Sequence, residues 1–500
     1  MELEGRVQED PGYDHELTVR EDEIVQVVSR LVQDANRRLP QDVMQAIMAA
    51  REQETSSIAC LILDLLIENA RIADETGLPC CQDTGIDVVF IRLGSRLRIR
   101  GDIHNAVNQG IALGTGAGYL RTSVCDPLTR KNSGDNTPAV IHLDIVPDSD
   151  ELSLTLLPKG CGSENMSGLI MLPPSAGVQG IKDFVLAQIL KAGPNPCPPG
   201  IIGVGIGGTM ERAALLAKQA LLRPCGQSNQ RKDLAALEQE LLTAINSTGV
   251  GPVGLGGRTS ALFVAVEAWP CHIASLPVAV NIQCHAARRA EAVREQGKWR
   301  FNSGEPSFPV TGREIELTRD AKRLELPLKR DVVNSLKAGE WVLLNGTLFT
   351  GRDQTHRVLS ELVRQGKELP VDLKDQLIYY VGPTPAPPGK VIGSAGPTTS
   401  YRMDAYTREI LSCGVRGLMG KGRRSPEVRS ALQEAGAIYL ATVGGAGAYL
   451  AGTVEDARVV AFPELGPEAM FELQVRDFPA IVINDLAGRD YYEEVLSQRE

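Results

Sequence analysis

The sequence has 500 residues, a formal net charge of −10, 43% hydrophobic residues and only 4% aromatic residues. This length predicts more than one domain, and the acidic balance argues against a nucleic-acid partner, because phosphate binding needs a basic surface. The N-terminus lacks the basic and apolar segments of a signal peptide, and no run of 18 apolar residues occurs. We therefore expect a cytoplasmic protein without a membrane partner, whose ten cysteines are available for metal or redox chemistry.

Residues 1–20 are predicted to form a mobile polar extension, after which the hydrophobic pattern alternates between helical and strand periodicity. Up to residue 293, the predicted helices cover residues 24–32, 41–52, 56–74, 177–191, 210–223, 231–245 and Ala286–Val293. The predicted strands in the same region are Val88–Leu93, Ala139–Val146 and Leu152–Leu157. Beyond residue 314, helices alternate with predicted strands at Trp341–Leu344, Ile378–Val381 and Ala480–Ile483.

The segment 293–314 is polar and contains Gly, Pro and Ser, so we interpret it as an interdomain linker. It separates a mixed α+β domain over residues 21–292 from a second α/β domain over residues 315–500. The predicted fold class is therefore α/β.

Two glycine-rich runs, 203–208 and 249–257, resemble nucleotide-binding loops only superficially. The first fits G-x-G-x-x-G, but no acidic residue follows about 20 residues later, where a dinucleotide fold places its ribose contact. The second lacks the lysine of a Walker loop. Both runs are more consistent with close approach of the backbone to another group. The sequence also contains no C-x-x-C zinc motif and no G-x-S-x-G nucleophile elbow.

Three cysteines occur in unusual local sequences: Cys81 in GLPCCQDTG, Cys197 in NPCPPG and Cys284 in NIQCHAARR. They are separated by 116 and 87 residues. Three thiolates cannot fully ligate a [4Fe–4S] cube, which normally takes four. The remaining iron would be open to water or substrate and could polarise a hydroxyl group. The alternative is that each of them is simply a small buried residue.

Several longer segments occur together: GLPCCQDTG, GIGGTMERAALLAK, LNGTLFTGRDQTHR, GSAGPTTSYRMD and GLMGKG. In these, the chain resembles the class I, iron–sulfur-dependent fumarate hydratases and the related L-tartrate dehydratases, from about residue 20 to about residue 490. The first part resembles the α subunit of two-subunit forms and the second part the β subunit, here fused. The resemblance implies a second domain of the swivelling β/β/α type, a [4Fe–4S] cofactor, a small dicarboxylate substrate and a homodimer.

The resemblance also implies roles for individual residues. The cluster ligands would be Cys81, Cys197 and Cys284, because the family pattern places the first ligand directly before the Gln-Asp pair and so selects Cys81 over Cys80. Asp83 or His272 would handle the hydroxyl proton, and Thr398 would act as the base for the C–H proton. The residues that match substrate-binding positions are Gln82, Arg121, Gly162, Arg352, Arg402 and Lys421.

One position departs from the family, since Cys161 stands where a plain glycine run is usual. It is either a tolerated small residue or an additional redox-sensitive group. The expected reaction is the reversible hydration of fumarate to L-malate. The alternatives are dehydration of L-tartrate or of a mesaconate-type acid, a non-catalytic iron–sulfur sensor, and an NAD-linked dehydrogenase, against which the missing ribose contact argues.

Overall fold

The structure, a computed structural model, describes residues 17–302 and 321–497, which we call the first half and the second half. The helices of the first half are α1 Glu21–Arg37, α2 Gln41–Gln53, α3 Ser57–Thr76, α4 Ile103–Ala117, α5 Cys161–Glu164, α6 Gly177–Ala192, α7 Met210–Ala220 and α8 Lys232–Ser247. Its strands are β1 Thr18–Arg20, β2 Ile86–Gly94, β3 Arg98–Arg100, β4 Val140–Val146, β5 Leu152–Lys159, β6 Gly168–Leu172, β7 Gly200–Gly207, β8 Ala261–Trp269, β9 Leu276–Gln283, β10 Ala290–Glu295 and β11 Lys298–Phe301.

The second half contains shorter helices and a larger sheet. Its helices are α9 Arg330–Ser335, α10 Asp353–Arg364, α11 Thr407–Ser412, α12 Pro426–Ala435, α13 Gly447–Ala451 and α14 Tyr491–Ser497. Its strands are β12 Lys322–Glu325, β13 Trp341–Thr350, β14 Leu377–Tyr379, β15 Gly417–Gly420, β16 Ile438–Ala441, β17 Val454–Ala461 and β18 Met470–Asn484.

The first half contains two main sheets with separate cores. One has the strand order β11-β10-β5-β2-β4 and packs against α1 and α4. The other has the order β6-β9-β7-β8, with α6 and α8 on one face and α7 on the opposite face. On β7, Gly203 and Gly205 leave no room for a Cβ beneath α7. The first glycine run therefore serves close helix–sheet packing.

The seven-stranded sheet of the second half has the order β12-β13-β14-β15-β16-β18-β17. Strands β12 to β16 pair in parallel, whereas β18 runs antiparallel to β13, β16 and β17. Because β18 pairs with both β13 and β16, strands β13 to β16 close with it into a ring. The largest hydrophobic cluster includes Leu66 and Phe90 of the first half together with Val342 and Ile481 of the second. The two halves therefore share one buried core.

The structure confirms the mixed α/β class, but it corrects the predictions around residue 290. The helix predicted at Ala286–Val293 is wrong, because β10 pairs there with β5 and β11. Ala290 and Ala292 point into the first core at strand spacing, a pattern too short to distinguish from a helix in the sequence. The predicted linker 293–314 consequently starts too early, and its remainder from residue 303 lies outside the described residues.

The last residues assigned to the polar extension lie in a strand. Thr18–Arg20 forms a strand that pairs with Arg98–Arg100, whereas residues 1–16 lie outside the described part of the chain. The assignment of residues 21–292 and 315–500 to separate domains, and the swivelling character of the second, stay predictions. Among the described residues, no helix is both long and apolar enough to cross a bilayer.

The packing of α4 on α1 leads to a stability prediction. A Cβ on Gly110 would lie 2.6 Å from the Cβ of Val28, whereas Gly116 of the same helix has no neighbour within 4 Å. We expect Gly110→Ala to lower the free energy of unfolding by about 1–2 kcal/mol through overpacking. The matched control Gly116→Ala should raise it by up to about 1 kcal/mol through helix propensity. Urea unfolding followed by circular dichroism measures both, and equal stabilisation by the two would contradict this packing.

Candidate active site

The first candidate ligand segment lies between α3 and β2. Helix α3 ends at Gly77, whose φ of 72° is left-handed and lets the chain turn. The Cys80 thiol, 1% exposed, donates to the Arg37 carbonyl oxygen at 3.1 Å, and burial raises its pKa to about 12. Cys81 lies on the other side of the chain, in the electrostatic field of Cys284 and Lys421. The structure therefore separates an inert core thiol from one that faces the other cysteines.

Cys197 and Cys284 come from the ends of neighbouring elements. Cys197 precedes β7 and has a φ of 58°, an unusual value for a residue with a side chain. Its sulfur accepts a hydrogen bond from Lys421 Nζ at 2.7 Å. Burial raises the pKa of Cys197 to about 11, although the Lys421 charge opposes this shift. Cys284 directly follows β9, which is antiparallel to β7, so both thiols lie at the same edge of that sheet.

The three thiols Cys81, Cys197 and Cys284 form a donor set that fits a cluster better than a single ion. Each couples electrostatically with the other two and with Lys421. Among the described residues, no three His, Cys, Asp or Glu side chains converge on one point as ligands of a single metal ion would. Cluster ligands bind different irons and need not converge in this way.

A glycine-rich loop of the second half, residues 444–447, packs against all three cysteine segments. Gly444 leaves no room for a Cβ beside the Cys197 sulfur, and Gly445 leaves none beside the His285 ring. A Cβ on Gly447 would lie 3.2 Å from the Cys81 Cα. Glycine is therefore required where the two halves meet.

The buried polar side chains of Asn69 and His285 stabilise the contact between the loop 444–447 and the cysteine segments. Asn69 Nδ2 donates to the carbonyl oxygens of Cys80 at 3.0 Å and Gly445 at 3.1 Å. Asn69 Oδ1 accepts from the Tyr449 N–H at 3.0 Å. His285 Nδ1 lies 3.0 Å from the Cys197 carbonyl oxygen, and burial lowers the pKa of this imidazole to about 4. Since a carbonyl only accepts, the neutral ring must carry its proton on Nδ1.

Cationic side chains from both halves meet beside the cysteines. Arg121, 5% exposed, donates to Asp83 Oδ1 at 3.0 Å and to the Gly382 carbonyl oxygen at 2.8 Å. Arg352 stands at the N-terminus of α10, where burial and the nearby Arg121 charge lower its pKa to about 10. Arg402 donates to Asp353 Oδ2 at 2.8 Å. The Nε atoms of Arg352 and Arg402 are buried and, within the described residues, have no hydrogen-bond partner.

These contacts leave an excess of positive charge. The cationic side chains are Arg121, Arg288, Arg352, Arg402 and Lys421, and the carboxylates that they face are Asp83, Asp353 and Glu468. Apart from the thiols, two positive charges within this described set therefore lack a carboxylate. Two carboxylate groups of a ligand would balance them.

Asp83 links several of these groups. Its Oδ2 accepts from the Cys161 N–H at 3.0 Å, and its carbonyl oxygen accepts from Arg288 Nη2 at 2.7 Å. Burial acts to raise the pKa of Asp83, but Arg121 and the other nearby cations lower it below its ordinary value. Asp83 is therefore a carboxylate at neutral pH.

Thr398 and Lys421 are the remaining site residues that the second half contributes. Thr398 Oγ1 accepts from Arg402 Nη2 at 3.1 Å. A Cβ on Gly162 would lie 2.9 Å from Lys421 Nζ, so Gly162 allows the lysine to approach the first half. Burial acts to lower the pKa of Lys421, but the Cys197 sulfur raises it above its ordinary value.

Two predicted site residues, His272 and Gln82, make contacts that sequence reasoning did not anticipate. His272 lies in an exposed turn, where its Nδ1 accepts from the Ala274 N–H at 3.1 Å, and the structure does not bring it to the cysteines or arginines. Its assignment as an alternative to Asp83 in proton transfer stays a prediction. Gln82 is 2% exposed, and its Nε2 already donates to the Pro397 carbonyl oxygen at 3.1 Å. This hydrogen bond of Gln82 connects the first half to the second.

The comparisons with known proteins cover the same two parts of the chain. A family model described as fumarate hydratase matches residues 25–293, and one described as fumarase C-terminus matches residues 299–495. This chain belongs to the fumarate hydratase family. Members of this family are hydro-lyases, so the chain is an enzyme of that class.

Two of the relatives match both parts of the chain in one polypeptide, and a third is a separate subunit that matches the first part. A putative class I fumarate hydratase of Geobacillus stearothermophilus is 33% identical over 93% of this chain and 95% of its own. The anaerobic class I fumarate hydratase of Escherichia coli is 31% identical over 87% of this chain and 82% of its own. A putative L(+)-tartrate dehydratase α subunit of Methanocaldococcus jannaschii is 46% identical, over 53% of this chain and 96% of that subunit.

The Asn69 contacts lead to a prediction about the union of the two halves. Asn69→Asp keeps the acceptor but removes the donor to the Gly445 carbonyl oxygen and one of the two donors to the Cys80 carbonyl oxygen, which also accepts from the Gly447 N–H at 3.1 Å. We expect the free energy of unfolding to fall by about 2–4 kcal/mol. The matched control Asn132→Asp removes an exposed donor to the Thr122 carbonyl oxygen and should cost less than about 0.5 kcal/mol. Urea unfolding compares them, and similar midpoints would show that Asn69 does not hold the halves together.

Proposed function

We propose that this member of the fumarate hydratase family catalyses the reversible hydration of fumarate to L-malate. The observation that supports this most directly is the meeting of Arg121, which donates to Asp83 at 3.0 Å, with Arg352 and Arg402 of the second half. Guanidinium groups bind carboxylates through paired hydrogen bonds, so three neighbouring arginines suit a substrate with two carboxylates. The relatives named as class I fumarate hydratases support the same substrate.

We further propose that Cys81, Cys197 and Cys284 hold a [4Fe–4S] cluster. The mutual electrostatic coupling of these three thiols supports this assignment. When bound, a cluster with three cysteine ligands supplies an iron that can act as a Lewis acid toward a substrate hydroxyl. Lys421 would then bind substrate near the cluster.

The proton transfers are assigned to two side chains. Asp83, ionised at neutral pH, would accept a proton from water on a carboxylate oxygen during hydration and return it during dehydration. Thr398 Oγ1 would take the proton from the substrate carbon during dehydration. A threonine hydroxyl is a weak base, but the Arg402 guanidinium that donates to Oγ1 would stabilise its deprotonated form. No electron transfer is involved in either direction.

Other activities are distinguishable from this one. The relative named as an L(+)-tartrate dehydratase subunit supports tartrate as a second candidate substrate, with mesaconate as a third. A non-catalytic iron–sulfur sensor would need the cysteines but not the three arginines together. A homodimer in the cytoplasm remains the expectation from the family resemblance.

The first experiment is an anaerobic hydratase assay. The purified chain, reconstituted with iron and sulfide, is mixed separately with fumarate, L-tartrate and mesaconate without a nicotinamide. Formation of malate from fumarate that is abolished by air would support the proposal. Faster turnover of tartrate or mesaconate would reassign the substrate, and no turnover by protein carrying an intact cluster would overturn the enzymatic assignment.

The two adjacent cysteines provide a matched test of the ligand set. We expect Cys81→Ser to lose the broad visible absorbance of a reconstituted cluster, because Cys81 faces the other two cysteines. Cys80→Ser should keep it, since that thiol donates to the Arg37 carbonyl oxygen. The measurement is absorbance together with iron and sulfide content per chain. The opposite pattern would make Cys80 the ligand.

A second pair of variants tests the proposed base. Thr398→Val removes the hydroxyl with little change in shape, and we expect kcat for malate dehydration to fall by about 10²-fold or more. Thr398→Ser should retain most of the activity. Visible absorbance should be the same in both variants, which separates a chemical effect from loss of the cofactor. Full activity in the valine variant would exclude Thr398 as the base.

A further inference from the structure

The turn after β5, residues 160–164, forms a wall of the candidate active site that touches both halves. A Cβ on Gly160 would lie 3.2 Å from Asp83 Oδ2 and 3.7 Å from Arg288 Nη2. A Cβ on Gly162 would lie 2.9 Å from Lys421 Nζ and 3.5 Å from Thr399 Oγ1. A side chain at position 162 would therefore displace the Lys421 ammonium group, one at position 160 would press on the Asp83 carboxylate, and both residues are glycine.

Cys161, between these glycines, does have a side chain. Its N–H donates to Asp83 Oδ2 at 3.0 Å, which fixes the backbone at this position. Its side chain is exposed, whereas the next side chain of the turn, Ser163, is buried and bonded to Lys159. The turn therefore leaves the Cys161 side chain accessible to solvent beside Asp83.

The surroundings of Cys161 define what this side chain can do. The group lies in the field of Asp83 and of Arg402 and Arg121, two of the proposed carboxylate-binding residues. Although solvent reaches the side chain, the surrounding protein partly desolvates the thiol, and this desolvation with the Asp83 charge raises its pKa above the ordinary value. At neutral pH it is an uncharged thiol, which is a weak nucleophile and a poor metal ligand. The property of this side chain that can still affect a ligand is its volume, since Gly160 and Gly162 on either side have no side chain.

We propose that Cys161 is a specificity-determining residue, whose side chain limits the width of the pocket beside the carbon chain of the bound dicarboxylate. This rests on the proposed hydratase function. The consequence is a preference for an unsubstituted four-carbon diacid such as fumarate over the same diacid with a methyl branch, as in mesaconate. One methyl group in a closely packed pocket changes kcat/KM by about 10- to 200-fold.

The test is a size series at position 161 in the cluster-loaded enzyme, assayed anaerobically with fumarate and with mesaconate. Cys161→Gly should raise the ratio of kcat/KM for mesaconate to that for fumarate by about 10-fold. Cys161→Val should lower this ratio, and the similarly sized Cys161→Ser should keep it within about twofold. Cys271→Gly is the matched control, because Cys271 is also exposed but donates to the Ser275 carbonyl oxygen in a turn outside the site.

If a variant loses turnover, the binding of unreactive diacids still tests the proposed role of Cys161. The inhibition constants of succinate and methylsuccinate, or their dissociation constants from the loaded variant, should follow the same size order. If the glycine, serine and valine variants still hydrate fumarate but show the same ratio for the branched and unbranched diacids, the proposed role of Cys161 is overturned. The proposed hydratase function would then stand. Wild-type protein with an intact cluster that hydrates no fumarate would instead overturn the proposed function.

Discussion

Glycine at positions 444, 445 and 447 allows the main chain of the second half to touch three segments of the first half that are distant in sequence. Each glycine lies against a different cysteine segment: Cys197, the residue after Cys284, and Cys81. A side chain at any of these glycines would push the loop away from the first half. The arginines of the second half would then move away from Arg121, because they belong to the same compact unit. The positions of the proposed ligands and of the substrate-binding groups are thus coupled through one backbone contact.

The charges of the site act against the stability of the empty protein. Burial and the nearby charges of Arg121 and Arg402 lower the pKa of Arg352 to about 10, so part of this shift expresses repulsion among the three arginines. Asp83, Asp353 and Glu468 offset part of it. A bound dianion would offset the rest, and any ligand that binds only the folded state stabilises that state. The site is therefore arranged for an anion that the protein itself does not supply.

Sequence reasoning predicted the parts of this site that carry recognisable local patterns. The choice of Cys81 over Cys80 came from its position before Gln82 and Asp83, and the arginines came from family segments. The reasoning could not identify Asn69, whose partner Gly445 is 376 residues away, because local periodicity contains no information on such contacts. The same limit explains why the sequence could not distinguish the surroundings of His272 from those of His285. Both follow a cysteine in the sequence, yet only His285 is buried beside a proposed ligand. The helix expected at Ala286–Val293 was wrong for a related reason, since pairing with β5 decided the local conformation.

The contact between the loop 444–447 and the cysteines also has a consequence for the order of events on the ribosome. A chain is synthesised from its N-terminus, and early segments begin to fold before later ones exist. Cys284, the last of the three proposed ligands, is translated 160 residues before Gly444. During that interval the nascent chain already carries every proposed cysteine ligand, while the loop that will cover them has not been made. Translation itself therefore provides a period in which a maturation factor can reach all three thiols without first separating the two halves.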